Sequence, residues 1–222
     1  MARVPGVRRS KRTTRLLCAA IVAFTACTCA QARAVIFSDL DPAPNLYSPA
    51  IGQTVSSNTS QAAAFTPSAN YNVGQIDIAL SHDTGGSFAT VSLESDIAGH
   101  PGTVLGSWNI STLPTMGTCC TLQMINPTTP LQVSAGDQYW LVVSGGTGTW
   151  DVWNFTNDTT SGTLAQGSGG DWTVSEGRLG AFEILDGDPS PTPEPGGGSF
   201  LLIGAGMLGM MGLARHRYHR AK

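Results

Sequence analysis

Two stretches of the chain alternate apolar and polar residues with a period of two. Ile76, Ile78 and Leu80 alternate with Gln75, Asp77 and Ala79, and Ala89, Val91 and Leu93 alternate with Thr90, Ser92 and Glu94. Successive strand side chains point to opposite faces, so this pattern predicts strands with one buried face. Tyr139, Trp140, Leu141, Val142 and Val143 form a run that is apolar at every position, as a central strand covered on both faces would be. Further strands are predicted near 62–66, 104–110, 121–125, 149–155 and 180–185, and no stretch here repeats apolar residues at helical spacing between caps. The segments 83–87 and 144–147, rich in glycine, suit hairpins, and Pro101-Gly102 suits the two central positions of a type II turn. About nine short strands at this spacing predict an all-β fold, an antiparallel β-sandwich of jelly-roll kind. A parallel β-helix would need a regular repeat, which is missing.

The two ends follow other rules. An apolar run from Leu16 to about Ala30 follows basic residues that end at Arg15. Ala32 and Ala34 then supply the small side chains that signal peptidase requires, so residues 1–34 read as a signal peptide cleaved after Ala34. Retention of this run as an anchor is the alternative, and Phe24 to Cys27 only weakly imitates a lipoprotein box. At the other end, 187–199 is a Pro/Gly-rich linker. An uncharged apolar segment, 200–214, comes next, and the basic tail 215–222 with Arg215, Arg217, Arg220 and Lys222 closes the chain. Fifteen helical residues rise about 22 Å, short of a hydrocarbon core of about 30 Å unless residues 196–199 extend them. The basic cluster would remain cytoplasmic, with the region 35–186 on the far side of the inner membrane.

Charge sharpens this division. Of 12 basic residues, seven precede position 35 and four follow position 214, which leaves Arg178 between; all 15 acidic residues, from Asp39 to Glu194, lie in that middle. One cation against fifteen acids gives the middle a net charge of −14. Without a cationic footprint it is not expected to bind nucleic acid.

Pro193-Glu194-Pro195, followed by a short apolar helix and an Arg-rich end, resembles the PEP-CTERM sorting signal recognised by exosortase. The resemblance covers about thirty residues, 191–222. It implies processing near Pro193-Glu194-Pro195 by an exosortase-like membrane enzyme in a Gram-negative bacterium, often one that makes exopolysaccharide. A GPI signal lacks the basic terminus, and a sortase signal needs an LPxTG-type box. A second resemblance rests on Ala63, Ala64, Phe65 and Thr66, the strand at Ile76 to Leu80, and Thr90 to Leu93 followed by Gly99 to Leu105. That order is similar to the choice-of-anchor R type of domain over about 60–185. It implies a surface β-sandwich and no established activity.

Candidate chemistry is sparse. With the signal peptide removed, Cys119 and Cys120 are the remaining cysteines. A vicinal disulfide, two free or mixed thiols, and an intermolecular bridge all stay open at this point. Adjacent thiolates lack zinc-knuckle spacing, with only His82 and His100 to assist, so no metal and no cofactor is expected. His82-Asp83 is a sequence neighbour pair rather than a triad, and no nucleophile elbow is present. Both histidines fall in predicted turns, and the acids are read as solvating charge at turns and outward strand faces. No enzymatic activity is expected, although a carboxylate pair for glycoside hydrolysis is invisible to sequence spacing. Calcium at Asp151, Asn157, Asp158 or Asp171 is conceivable without any loop signature. Trp150, Trp153 and Trp172, in a segment rich in Asn, Asp, Thr and Gly, are candidate glycan contacts. On a strand, however, Trp150 and Trp153 point to opposite faces, so at least one serves the core. The resulting expectation is an exported surface or matrix protein, structural or adhesive in an exopolysaccharide context, with a carbohydrate-binding module as the main alternative and a hydrolase behind it.

Overall fold

The computed structural model describes residues 33–158, 160–168 and 170–189. In chain order the strands are β1 (Arg33–Ser38), β2 (Gly52–Ser56), β3 (Ser60–Phe65), β4 (Tyr71–Ile78), β5 (Leu80–Gly85), β6 (Phe88–Ile97) and β7 (His100–Ser111). They continue as β8 (Gln123–Ile125), β9 (Leu131–Val133), β10 (Tyr139–Gly145), β11 (Thr149–Asn154), β12 (Ser161–Ser168), β13 (Asp171–Arg178) and β14 (Phe182–Pro189). The described residues contain no helix, and every pairing of named strands is antiparallel. A six-stranded sheet runs β13-β12-β3-β10-β6-β7. Opposite it lie a five-stranded sheet, β1-β14-β4-β8 with β9 also on β4, and a three-stranded sheet, β2-β11-β5.

The main core fills the space between these sheets. Phe65, Val91, Leu93, Leu141 and Val143 from the six-stranded sheet join Ile76, Ile78, Phe182 and Ile184 from the five-stranded sheet and Val55, Leu80 and Trp153 from the three-stranded one. Burial of these side chains is the dominant favourable contribution, roughly 1.5–3 kcal/mol for each large one. β10 is apolar on both faces because both are covered. Tyr139, Leu141 and Val143 join the main core, while Trp140 and Val142 meet Ala62 and Ala165 on the other face of the sheet, with Trp172 packed alongside.

Several elements differ from the sequence expectation. The alternation from Ile76 to Leu80 is broken by a sheet change at Ala79, whose N–H donates to Ala181 O and whose carbonyl accepts from Asn154 N–H. The side chains stay buried across the break, so the periodicity does not register it. Pro101-Gly102 lies inside β7, and the turn sits just before it, at Ala98 and Gly99, with φ of 54° and 85°. Two central residues at positive φ match the twist of a two-residue hairpin, and Pro101 is tolerated because β7 is an edge strand. Neither glycine segment is a hairpin: 83–87 leads from β5 into β6 and 144–147 from β10 into β11, and each time the two strands belong to different sheets, so both are sheet crossings. β14 continues to Pro189, past the expected domain end at 186. The signal run, Ala32, Pro193-Glu194-Pro195, the apolar segment 200–214, and Arg215, Arg217, Arg220 and Lys222 lie outside the described residues.

Candidate functional site

The three-stranded sheet brings together the one histidine–carboxylate pair found among the described residues. Asp151 on β11 lies opposite His82 on β5, just past a register shift at Trp150. Asp151 is wholly buried, and its Oδ1 is 3.1 Å from His82 Nδ1. Burial raises the Asp151 pKa, and the contacts with His82, the Phe88 backbone and Thr149 oppose that rise. The second oxygen, Oδ2, has no hydrogen-bond partner. His82 is held on its backbone side too, donating to Pro114 O and accepting from Met116 N–H. The segment 114–116 therefore lies along the outer edge of β5. His82 thus belongs to a strand and not to the expected turn, because two neighbours pair with it.

Such a pair fixes Nδ1 and leaves Nε2 as the nitrogen for exchange with solvent. Among the described residues no hydroxyl or thiol hydrogen-bonds to Nε2. The partner in sequence, Asp83, plays no part. An acid inside the apolar run 149–155 was the available signal for Asp151. His100 opens β7, and its Nδ1 lies 3.0 Å from Pro101 O.

The acids are not uniformly solvating, contrary to the sequence reading. Asp39, Asp41, Asp77, Glu94 and Asp151 are buried. Asp41 is saturated by loop donors: the N–H and side-chain amide of Asn157, and the N–H of Asp158 at 3.2 Å. Asp39 Oδ1 accepts Phe182 N–H at 2.7 Å, while its Oδ2 is buried without a partner. Desolvation, with a smaller push from Asp41, raises Asp39 to about 7 against two opposing backbone hydrogen bonds. The residues considered for calcium are dispersed: Asp151 faces His82, Asn157 and Asp158 bind Asp41, and Asp171 starts β13. No three of His, Cys, Asp and Glu converge as a metal would require among the described residues.

The three candidate tryptophans do not form one platform. Trp150 is 55% exposed on β11, whereas Trp153 is fully buried and donates its Nε1–H to Ala181 O. Trp153 therefore serves the core, beside Phe182 at 5.7 Å between ring centroids. Trp172 is half-buried on β13, packed on the Trp140 cluster. Cys119 and Cys120 are joined as a vicinal disulfide, their sulfurs 3.9 and 3.6 Å from Tyr47 O. Cys120 packs against the small cluster of Tyr47, Ala79 and Ala181. Arg178 is committed within the fold, its guanidinium 4.8 Å over the Phe155 ring and donating to Thr156 O. Ala34 lies in β1, so cleavage after it would leave the pairs Val35–Leu185, Phe37–Ile184 and Ser38–Glu183.

Comparison with protein-family models, curated proteins and solved structures finds no match to this chain.

Proposed function

We propose that this is an exported cell-surface or extracellular-matrix protein sorted by an exosortase-type system. Its jelly-roll-like β-sandwich plays a structural or adhesive role in an exopolysaccharide context and turns over no substrate. The observation that carries the reading is the order Pro193-Glu194-Pro195, apolar 200–214, basic 215–222. Signal peptidase acts first, after Ala34. The tail then holds the chain in the inner membrane with the β domain periplasmic, until an exosortase-like enzyme releases it to the outer surface or matrix. The charge pattern supports this order, since basic ends flank a middle of net charge −14.

Intact mass of the chain from its native host tests the proposal, with Pro193-Glu194-Pro195 intact or replaced by alanines. The wild type is expected to begin at Val35 and end near Pro195, while the variant keeps its tail. Residues through Lys222 in both forms would reduce the tail to a plain anchor and end the sorting reading.

One observation favours a second reading, a carbohydrate-binding module on an anchor. Trp150 presents an indole that is 55% exposed on the outer side of a strand, and an aromatic face in that position suits stacking on a sugar ring.

A further inference from the structure

A cleft of about 490 Å³ lies where the β12–β13 hairpin faces the turn between β2 and β3. Its volume is within the roughly 300–1,000 Å³ of ligand sites, but its lining is unusual for one. Asn58 and Thr59 come from the turn, and Gln166, Asp171, Thr173 and Ser175 come from the hairpin. No apolar side chain lines it. Two features hold the hairpin in place beside the turn. β12 is paired to β3 through Leu164–Ala63, Ala165–Ala62, Gln166–Gln61 and Gly167–Ser60. Trp172 packs against Gly167, where an added Cβ would meet the ring at 2.6 Å. Gln166 and Thr173 are register partners across the hairpin and share one face.

The chemistry of this lining selects its ligand. The cleft holds no cation, and Arg178 is already engaged with Phe155 and Thr156. An anionic ligand would face Asp171 with no counter-charge. An apolar ligand would strip water from amides and hydroxyls without replacing their hydrogen bonds. A neutral polyhydroxylated chain fits both conditions, because each sugar hydroxyl donates and accepts and the amides of Asn58 and Gln166 do likewise. We infer that this cleft is a binding site for a neutral polysaccharide. The inference rests on the carbohydrate-binding reading but places the site away from Trp150, on the hairpin.

Each contact exchanges water for hydroxyl, so single-site affinity is low, and retention depends on many copies meeting a polymer. The full-length chain, solubilised in detergent, is run through native gels cast with dextran or with galactomannan. Retardation by at least one of them is expected for wild type. Gln166→Ala, Thr173→Ala and Asn58→Ala are each expected to weaken the retardation about fivefold. All three side chains are exposed, and an unchanged melting midpoint separates loss of binding from loss of fold. Trp150→Ala is expected to leave the retardation intact. If Trp150→Ala abolishes it and the cleft variants do not, the protein binds glycan elsewhere and the cleft is overturned. If wild type is retarded by neither polymer, the cleft and the carbohydrate-binding reading fall together, while the sorting reading stands on its mass measurement.

Discussion

Asp39 ties the end of β1 to β14 twice, donating its N–H to Phe182 O at 3.2 Å and accepting Phe182 N–H on Oδ1. The same position removes the carboxylate from water, and its pKa rises to about 7 from an ordinary 3.8. An acid whose folded pKa lies above its unfolded value binds its proton more tightly when folded. Its contribution to stability is therefore complete below about pH 4 and is lost as the pH rises through about 7. Three units correspond to an upper bound of about 4 kcal/mol. Asp77, Glu94 and Asp151 are also raised by burial and act in the same direction. Asp39→Asn keeps the Oδ1 acceptor and carries no charge, which isolates this one group. Urea unfolding from pH 4 to pH 8 is expected to show wild type losing stability relative to Asp39→Asn as pH rises. Parallel curves for the two proteins would mean that Asp39 titrates normally.

At the scale of elements, the β6–β7 hairpin shows what local chemistry can and cannot announce. Its turn places Ala98 at φ 54°, a region that costs a residue with Cβ roughly 1–2 kcal/mol and costs Asn less. Ala98→Asn, which creates the favoured Asn-Gly pair, is expected to stabilise the protein by about 0.5–1 kcal/mol. Gly99→Ala meets open space but must hold φ 85°, and is expected to destabilise by about 1 kcal/mol. Equal thermal midpoints for wild type and both variants would remove the turn assignment. From sequence, Pro101-Gly102 was the more conspicuous turn signal, yet a proline also suits an edge strand, and only the register decides. Buried strands were legible: β4 and β6 carry the alternation of one buried face, and β10 carries the continuous apolar run of a strand covered on both. The β12–β13 hairpin was not, because its cleft-facing side has no core to cover and so keeps Gln166, Thr173 and Ser175. The opposed exposure of Trp150 and Trp153 followed from strand parity alone. The His82–Asp151 pair did not, since 69 residues separate its members and only the pairing of β11 with β5 unites them.

At the scale of the whole molecule, the proposed processing would change charge more than it changes the fold. The full chain has a net charge of −3 and an isoelectric point near 5.7, because basic ends offset the acidic middle. Cleavage after Ala34, as proposed, would remove Arg33, which donates to Gln75 at 2.7 Å and partly offsets the rise that burial gives the Asp77 pKa. Three strand pairs of β1 survive that cut, so the sandwich is expected to keep its edge. The proposed release near Pro195 would then remove Arg215, Arg217, Arg220 and Lys222. Residues 35–195 retain Arg178 against all fifteen acids, so a released form would carry −14 and focus below about pH 4 by ordinary side-chain pKa values. Isoelectric focusing of the precursor and the matrix-associated form is expected to show this drop, in steps that match the two cuts. A polyanion of this kind is repelled by an acidic polysaccharide at low ionic strength, whereas hydrogen bonding to a neutral one is nearly indifferent to salt. Retardation by dextran or galactomannan should therefore persist from low to high ionic strength. Retardation that vanishes with added salt would mean that charge, and not the polar cleft, holds the protein to the polymer.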